Sequence, residues 1–447
     1  MNLSIPAAGI PQIILKNGYK FNSKLLQTEI RSESGNSAER SILKLDGQIS
    51  GLVGNGITEL KVLGDYLWIG TGDGLSVTRG DGETFYSYNH RVSGIGRGGV
   101  SAIAVSPHEV WVATAFDSLT EAGETALITG GGIAVTRDSG LTWEFFQQPV
   151  DGKDEDRVVY QPGDTVNALP VTTPIQNVTY DMAVTNSAVW IASFAGGLRK
   201  SVDGGKSWLR VLLPPDGSYS LLPGDTLNFS LNPVANLNHR VFSVMAYGDT
   251  IWVGTANGIN RSFDGGISWV KFNAQNSMIS GNFVVALARQ LTDKGETIWA
   301  ATLPAEDPSE YTAISKTRNK GATWSTTLEG ERAYNFAFND TIVYVATDRG
   351  LFKSIDGGDN WALYPNIVDF IRDQQILTSD YYTAAVTGGS TLWVGTADGL
   401  AKTADDGRNW RIIRTFARSA SAGEPATYAY PNPFSPQRFN VLGERDM

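Results

Sequence analysis

The chain has 447 residues, a formal net charge of -10 and a sequence pI near 5.0, and this acidity opposes binding to nucleic-acid phosphates or to an anionic membrane surface. It contains no cysteine, which excludes disulfides, thiol catalysis and cysteine-ligated zinc. Its three histidines, His90, His108 and His239, are not at the spacing of metal ligands, and no nucleotide or metal motif is present, so we expect neither a metal site nor a cofactor. No apolar run has the length of a transmembrane helix.

Residues 1–40 form an N-terminal extension with two apolar stretches and none of the repeats that follow. Residues 41–45 then read as a short strand that adds to the end of the repeat array and closes it. The chain after Trp410 is the alternative closing segment. The sequence does not decide between these two closing segments.

The pattern Ser/Thr-x-Asp-x-Gly-x-x-Trp occurs seven times between residues 78 and 410. The Asp position holds Asp138, Asp203, Asp264, Asn319, Asp356 and Asp405, and the last position holds Trp143, Trp208, Trp269, Trp324, Trp361 and Trp410. The first copy is degenerate, with Gly80 and Phe85 at these places. An Asp carboxylate can accept backbone N–H bonds in a tight turn, glycine permits a positive φ, and the indole then opens the next strand and packs between sheets. We therefore interpret these residues as structural.

A β-branched and aromatic run precedes each copy, at residues 67–71, 110–114, 189–193, 251–255, 298–302, 343–347 and 392–396. One more short apolar run lies upstream of each, so every unit reads as four strands, A to D. The Asp-equivalent positions from 80 to 405 are about 54 residues apart on average, the length of a four-stranded blade with its loops. The sequence thus predicts an all-β fold, a seven-bladed β-propeller of four-stranded antiparallel blades with Asp-box turns over residues 41–416. A β-sandwich is the alternative, but sandwiches lack a repeat of this period.

The turns resemble those of the Asp-box (BNR, sialidase-like) propellers, a superfamily that includes sialidases, xyloglucan-cleaving glycoside hydrolases, photosystem assembly factors and many secreted proteins. Residues 51–57 with 67–71 also resemble the ligand-sensing propellers of two-component regulators. These resemblances imply the fold and not one function, because enzymes and non-enzymes share the turn.

Residues 428–436, which include Pro431, Asn432, Pro433 and Phe434, resemble the opening of the C-terminal sorting domain of type IX secretion cargo. The resemblance implies a bacterial protein exported to the extracellular space or cell surface. Residues 417–447 would then be a linker and the start of a truncated sorting domain, with surface anchoring through the missing part. A proline-rich tail of no further meaning is the alternative.

Connection lengths predict where a ligand sits. The long connections are residues 116–129 and 304–311, between strands B and C, and residues 147–176 and 212–238, between blades. In an antiparallel meander these two kinds of connection emerge on one face, chiefly over blades two to five, and the Asp-box turns lie on the other.

Two of the long connections share a motif that begins Pro-Gly-Asp-Thr and ends in Asn. The first copy contains Asp164 and Asn167, and the second contains Asp225 and Asn228. This is either a paired recognition or ion-binding element or duplicated turn chemistry, and we favour the turn. The acidic cluster of Asp151, Asp154, Glu155 and Asp156 either attracts a cation or is a solvated loop, and we favour the loop.

Two carboxylates bear on whether the sequence favours an enzyme or a binding protein. Glu59 and Asp181 are candidate catalytic residues, because an acid on a channel-lining strand is unusual and glycosidases need two carboxylates. The arginine triad of sialidases has no local motif here, since Arg97, Arg199, Arg240 and Arg332 are scattered along the chain.

We therefore predict a non-enzymatic secreted or surface propeller that binds a protein or polysaccharide through its long-loop face. The alternatives are a glycoside hydrolase or lyase using channel-mouth carboxylates and a photosystem-assembly type of propeller. The latter would need a basic patch, which the net acidity disfavours.

Overall fold

The computed structural model describes residues 49–79, 82–119, 126–161 and 164–415. These ranges consist of β-strands and turns, and their one helical element is a 3-10 turn at Leu237–His239. No helix within them is long and apolar enough to cross a membrane. They form seven sheets of four consecutive antiparallel strands, which we call blades 1 to 7 with strands A to D.

Strand A spans, in blade order, Ile57–Leu63, Gly99–Val105, Thr179–Val184, Val241–Tyr247, Phe283–Thr292, Ala333–Asn339 and Tyr381–Thr387. Strand B spans Tyr66–Thr71, Val110–Leu119, Val189–Ser193, Thr250–Thr255, Gly295–Leu303, Ile342–Thr347 and Thr391–Thr396. Strand C spans Gly74–Arg79, Ala126–Thr136, Gly197–Ser201, Gly258–Ser262, Ala313–Thr317, Gly350–Ser354 and Gly399–Thr403. Strand D spans Phe85–Tyr88, Glu144–Phe146, Leu209–Val211, Trp269–Phe272, Ser325–Thr327, Ala362–Leu363 and Arg411–Ile413.

Each strand A contacts strand A of the blade before and the blade after it, and blade 7 contacts blade 1. The sheets therefore stand in a ring around a central channel lined by the A strands. This is an all-β propeller of four-stranded antiparallel blades, and the predicted fold class is confirmed. We call the face with the B-to-C and blade-to-blade connections the loop face, and the face with the A-to-B connections and the Asp-box-like turns the turn face.

Additional strands extend this frame. Ile49–Ser50 pairs with strand D of blade 1, and Ser220–Leu221 pairs with strand D of blade 4. Arg157–Gln161, Asp164–Ala168 and Ser230–Leu231 form a small separate sheet, and Val368–Asp369 with Gln374–Gln375 forms a short hairpin.

The ring meets between blades 7 and 1. The side chain of Asn55 donates from Nδ2 to the carbonyl of Thr415 at 2.9 Å and accepts the N–H of Thr415 at 2.7 Å. Strand D of blade 7 comes from the chain after Trp410. The predicted closing strand at residues 41–45 lies outside the described residues.

Aromatic side chains pack the blades against one another. The strand-B tryptophans Trp68, Trp252 and Trp299 are fully buried. Each meets the turn tryptophan of the following blade edge to face, with ring centroids at 6.2 Å, 6.2 Å and 6.4 Å for Trp68–Trp143, Trp252–Trp324 and Trp299–Trp361. Edge-to-face pairs of this kind add to the hydrophobic gain of burial. The apolar core therefore lies between blades.

The turns between strands C and D share one hydrogen-bond pattern, seen clearly in residues 262–269. Ser262 Oγ donates to Asp264 Oδ1 at 2.7 Å and accepts the N–H of Gly266 at 2.9 Å. Asp264 accepts the N–H and the hydroxyl of Ser268 at 2.9 Å and 2.6 Å. The turns that contain Asp138, Asp203, Asp356 and Asp405 repeat this pattern. Asn319 accepts in the same way from the N–H of Thr323 at 2.9 Å, while Gly80 lies outside the described residues.

Strand D was expected to start at the turn tryptophan. It does so only in blade 4, at Trp269, and in blades 2, 3, 5, 6 and 7 it starts one residue later. The indole of these blades still belongs to the turn, so the first paired residue is the next one along.

Candidate functional site

Strand A of every blade is irregular near its first residues, where the ladder to strand B skips one residue. The skipped residues are Thr58, Ser101, Tyr180, Phe242, Val285, Tyr334 and Tyr382. Ring centroids lie 5.7 Å apart for Tyr180 and Phe242 and for Tyr334 and Tyr382, and all four side chains are buried. The channel is thus packed with aromatic groups at its loop-face end, where the A strands begin.

The candidate catalytic residues Glu59 and Asp181 directly follow these skipped positions in blades 1 and 3. Glu59 Oε2 accepts the N–H of Ile103 in blade 2 at 2.7 Å, and Asp181 Oδ2 accepts the N–H of Val244 in blade 4 at 3.0 Å. Their exposed fractions are only 2% and 5%. Each carboxylate therefore joins its own inner strand to that of the next blade.

Lys61 brings these two carboxylates into one charged group. Its Nζ lies 3.1 Å from Glu59 Oε1. Burial in the channel by itself lowers the pKa of Lys61, but the charges of Glu59 and Asp181 outweigh it and raise the pKa above its ordinary value. The ammonium form of Lys61 is thus favoured beside these two carboxyl groups.

A cavity of about 250 Å³ occupies the channel beside this group. It is lined by Lys61, Asp181, Met245, Arg289, Asn335 and Phe338, among others. These residues start at the third position of their A strands and continue toward the strand ends, so the cavity lies in the middle of the channel and extends toward the turn face. It lies away from the long connections, which the sequence pointed to as the binding face.

On the loop face, the two long blade-to-blade connections are joined to each other. Asp164–Ala168 pairs in parallel with Ser230–Leu231, the hydroxyl of Tyr160 donates to the carbonyl of Asp225 at 3.0 Å, and Gln161 Oε1 accepts the N–H of Gly224 at 2.6 Å. The two segments are therefore one ordered unit.

The four loop residues singled out from the shared motif differ in their contacts. Asp164 accepts from the side chain of Gln161 at 2.6 Å, and Asp225 accepts the N–H of Leu222 at 2.8 Å within its own turn. Asn167 lies opposite Ser230 in the small sheet, and Asn228 is exposed. Residues that flank one copy of the motif contact the other copy, and both carboxylates are used in local turn contacts.

The acidic cluster at residues 151–156 is divided by the structure. Asp151 is buried and binds Arg199 at 2.7 Å, Arg210 at 3.2 Å and the N–H of Val171 at 2.7 Å, whereas Asp154, Glu155 and Asp156 are exposed. Within the described ranges no group of three or more acidic or histidine side chains is placed to hold a metal ion. Asp151 is thus a structural ion-pair residue that anchors the first long connection.

The arginines considered for a carboxylate-gripping triad have separate neighbours. The guanidinium carbons of Arg97, Arg240 and Arg332 lie 4.3 Å, 5.4 Å and 5.4 Å from the ring centres of Phe116, Phe194 and Tyr334. Arg199 belongs to the Asp151 ion pair. These contacts do not assemble a triad.

A feature that the sequence reasoning missed is the hairpin between blades 6 and 7. At its tip Phe370 and Ile371 are 80% and 85% exposed. Asp369 fixes the hairpin, since it accepts the N–H of Arg372 at 3.0 Å and the N–H of Ile412 in blade 7 at 3.2 Å. The run Asp-Phe-Ile-Arg-Asp at residues 369–373, two large apolar residues among charges in a connection, was the signal available.

The ring of four-stranded sheets defines the chain as a β-propeller. No family model and no curated protein matches the sequence. Solved propeller structures do match. The GH74 enzyme of Niastella koreensis is 15% identical over 81% of this chain and 55% of its own, with a TM-score of 0.53. An ancestral GH74 enzyme is 15% identical over 88% and 50%, with a TM-score of 0.50.

YCF48 from Cyanidioschyzon merolae is 14% identical over 80% of this chain and 96% of its own, with a TM-score of 0.47. The chain spans about half the length of the two GH74 chains. At these identities the similarity establishes the propeller fold alone.

Proposed function

We propose that this chain is a non-enzymatic binding propeller that recognises a protein partner through its loop face. The observation that carries the proposal is the exposure of Phe370 and Ile371, 80% and 85%, on a hairpin whose base is fixed to blade 7. Large apolar side chains exposed to water favour burial against a partner, and a hairpin fixed at its base loses less freedom on binding than a free loop.

The choice of a protein over a polysaccharide rests on the tryptophans. All 12 lie within the described residues, and none of them is exposed. Sugar rings stack on exposed aromatic platforms, whereas the most exposed large apolar side chains of the loop face are Ile371, Phe370 and Met278, ahead of Tyr219 and Tyr311. The hydrogen-bonded positions of Glu59 and Asp181 between blades support a role other than hydrolysis.

The proposal includes export and association with the bacterial surface. It rests on the resemblance of residues 428–436 to the start of a type IX sorting domain, and these residues lie outside the described ranges. Localisation of the full chain by cell fractionation tests this part separately.

A photo-crosslinking residue at position 370, in cells that make the protein, tests the partner. We expect one protein to be captured and its capture to be lost in the variant Ile371→Ser. The matched control Ile355→Ser, which changes a residue 70% exposed on the turn face, should leave capture intact. Equal capture in both variants would contradict the proposal.

A reducing-sugar assay on a panel of β-glucans and sialosides tests the alternative of hydrolysis. Sugar release that is lost on Asp181→Asn would establish an enzyme. Asparagine keeps an acceptor oxygen for the N–H of Val244, so this variant retains the contact between blades.

A further inference from the structure

The side chain that joins blade 1 to blade 7 is an asparagine followed directly by a glycine. Both atoms of the Asn55 amide are bonded to the main chain of Thr415, Nδ2 to its carbonyl at 2.9 Å and Oδ1 to its N–H at 2.7 Å. Asn55 is half-buried, so water reaches it. The N–H of Gly56 has no hydrogen-bond partner within the part of the chain that the structure describes. The closure of the ring therefore depends on an amide that adjoins an unbonded peptide nitrogen.

An Asn-Gly pair can change its own covalent structure without an enzyme. The peptide nitrogen of the glycine attacks Cγ of the asparagine and a C–N bond forms. Nδ2 then leaves as ammonia and takes the proton of the peptide N–H with it. Water opens the resulting succinimide ring to aspartate or to isoaspartate. Glycine favours this attack because it has no Cβ beside the nitrogen, and asparagine is one of the thermolabile residues of proteins.

A second Asn-Gly pair provides a comparison within the same fold. Asn257 is also half-buried, and it lies with Gly258 between strands B and C of blade 4. The N–H of Gly258 donates to the carbonyl of Asn282 at 2.7 Å. The attacking nitrogen is thus held by a hydrogen bond in the pair at residues 257–258 and is not held in the pair at residues 55–56.

We propose that Asn55 is a deamidation site and that its conversion weakens the closure of the ring. While both bonds to Thr415 are made, they hold the amide in place, so the reaction with the nitrogen of Gly56 follows when the closure opens. The product sets a carboxylate oxygen against the carbonyl of Thr415 where an N–H donor stood. Isoaspartate also adds a methylene group to the main chain just before Gly56, whose carbonyl accepts the N–H of Gly72 at 3.0 Å. The converted ring therefore cannot close with its original contacts.

Incubation of the full chain in mild alkali, followed by peptide mapping and an enzymatic assay for isoaspartate, tests the site. We expect aspartate and isoaspartate to form at position 55 at least tenfold faster than at position 257. The converted fraction should unfold at a lower urea concentration than the unconverted chain. No conversion at position 55, equal rates at the two positions, or conversion without a change in the urea midpoint would overturn the proposal.

Variants at Thr415 test whether the closure controls the reaction. Thr415→Pro removes the N–H that Asn55 Oδ1 accepts, so conversion at position 55 should become about fivefold faster, the factor that corresponds to one net hydrogen bond. Thr415→Ala is the matched control, because it keeps both main-chain groups, and it should convert at the rate of the unaltered chain. The rate at position 257 in the same samples should not change, which shows that the proline leaves blade 4 intact. An unchanged rate at position 55 in Thr415→Pro would refute the role of the closure.

Discussion

Replacing Gly266 by alanine tests how the turns hold the blades together. Gly265 and Gly266 are neighbours in one turn, with φ of +70° and +89°. A Cβ on Gly265 would meet nothing within 4 Å, whereas a Cβ on Gly266 would lie 2.8 Å from Cη2 of Trp190 in the preceding blade. Both alanines share the cost of a left-handed backbone, about 1–2 kcal/mol. Only Gly266→Ala adds overpacking, about 1–3 kcal/mol.

We therefore expect Gly266→Ala to lower the free energy of unfolding by about 2–5 kcal/mol and Gly265→Ala by about 1–2 kcal/mol. Other turns carry Ser139, Lys320 and Asp406 at the place of Gly265, with φ of 59°, 58° and 60°, so that position does accept side chains. Urea unfolding followed by tryptophan fluorescence measures the difference. Equal losses in the two variants would refute the view that the indole of Trp190 excludes a side chain.

Variants at three further positions test other contacts, each by urea midpoints. Asn55→Ala should lose about 1–3 kcal/mol, because it removes two hydrogen bonds to Thr415. Asn55→Asp should lose no less, because it keeps the acceptor but sets a carboxylate oxygen against the Thr415 carbonyl; no loss in either would contradict the closure contact. Hydrogen bonds from the hydroxyl and N–H of Ser207 lower the pKa of Asp203 to about 2, so the carboxylate stabilises the fold above its unfolded pKa near 3.8 and the gain is lost as the pH falls toward 2. Asp203→Asn should flatten this part of the acid profile. Burial lowers the pKa of His239 to about 3 from 6.5. Between these pH values the imidazole is protonated in the unfolded chain and neutral in the folded chain, so the free energy of unfolding falls as the pH drops from 6.5 toward 3. His239→Gln should remove that slope, and a slope that persists would contradict the burial.

The fold was predictable because its determinants are local and repeated. The acid of each turn accepts a hydrogen bond from a residue four positions away, as Asp264 does from Ser268, so one short stretch of sequence contains all the residues of the turn. The glycine of the turn shows the limit of such reasoning. A positive φ at Gly266 follows from the turn, but its contact with Trp190 joins residues of different blades and cannot be read from one window.

The candidate site was less predictable for the same reason. Asp151 stands in an acidic run, which reads as a solvated loop, yet its partners Arg199 and Arg210 lie 48 and 59 residues further along the chain. The face of the long connections followed from the strand order alone. The exposed tip at Phe370 did not, since exposure depends on what the rest of the ring leaves uncovered.

The hydrogen bonds that Glu59 and Asp181 make between blades do not explain why these two positions carry acidic residues. Glu59 accepts the N–H of Ile103 across a blade boundary, and Thr383 of blade 7 makes the equivalent bond to the N–H of Leu60 at 3.2 Å with a neutral hydroxyl. Joining blades therefore requires an acceptor and not a charge. The charges of Glu59 and Asp181 act instead on Lys61, whose Nζ lies 3.1 Å from Glu59 Oε1 and whose pKa both acids raise.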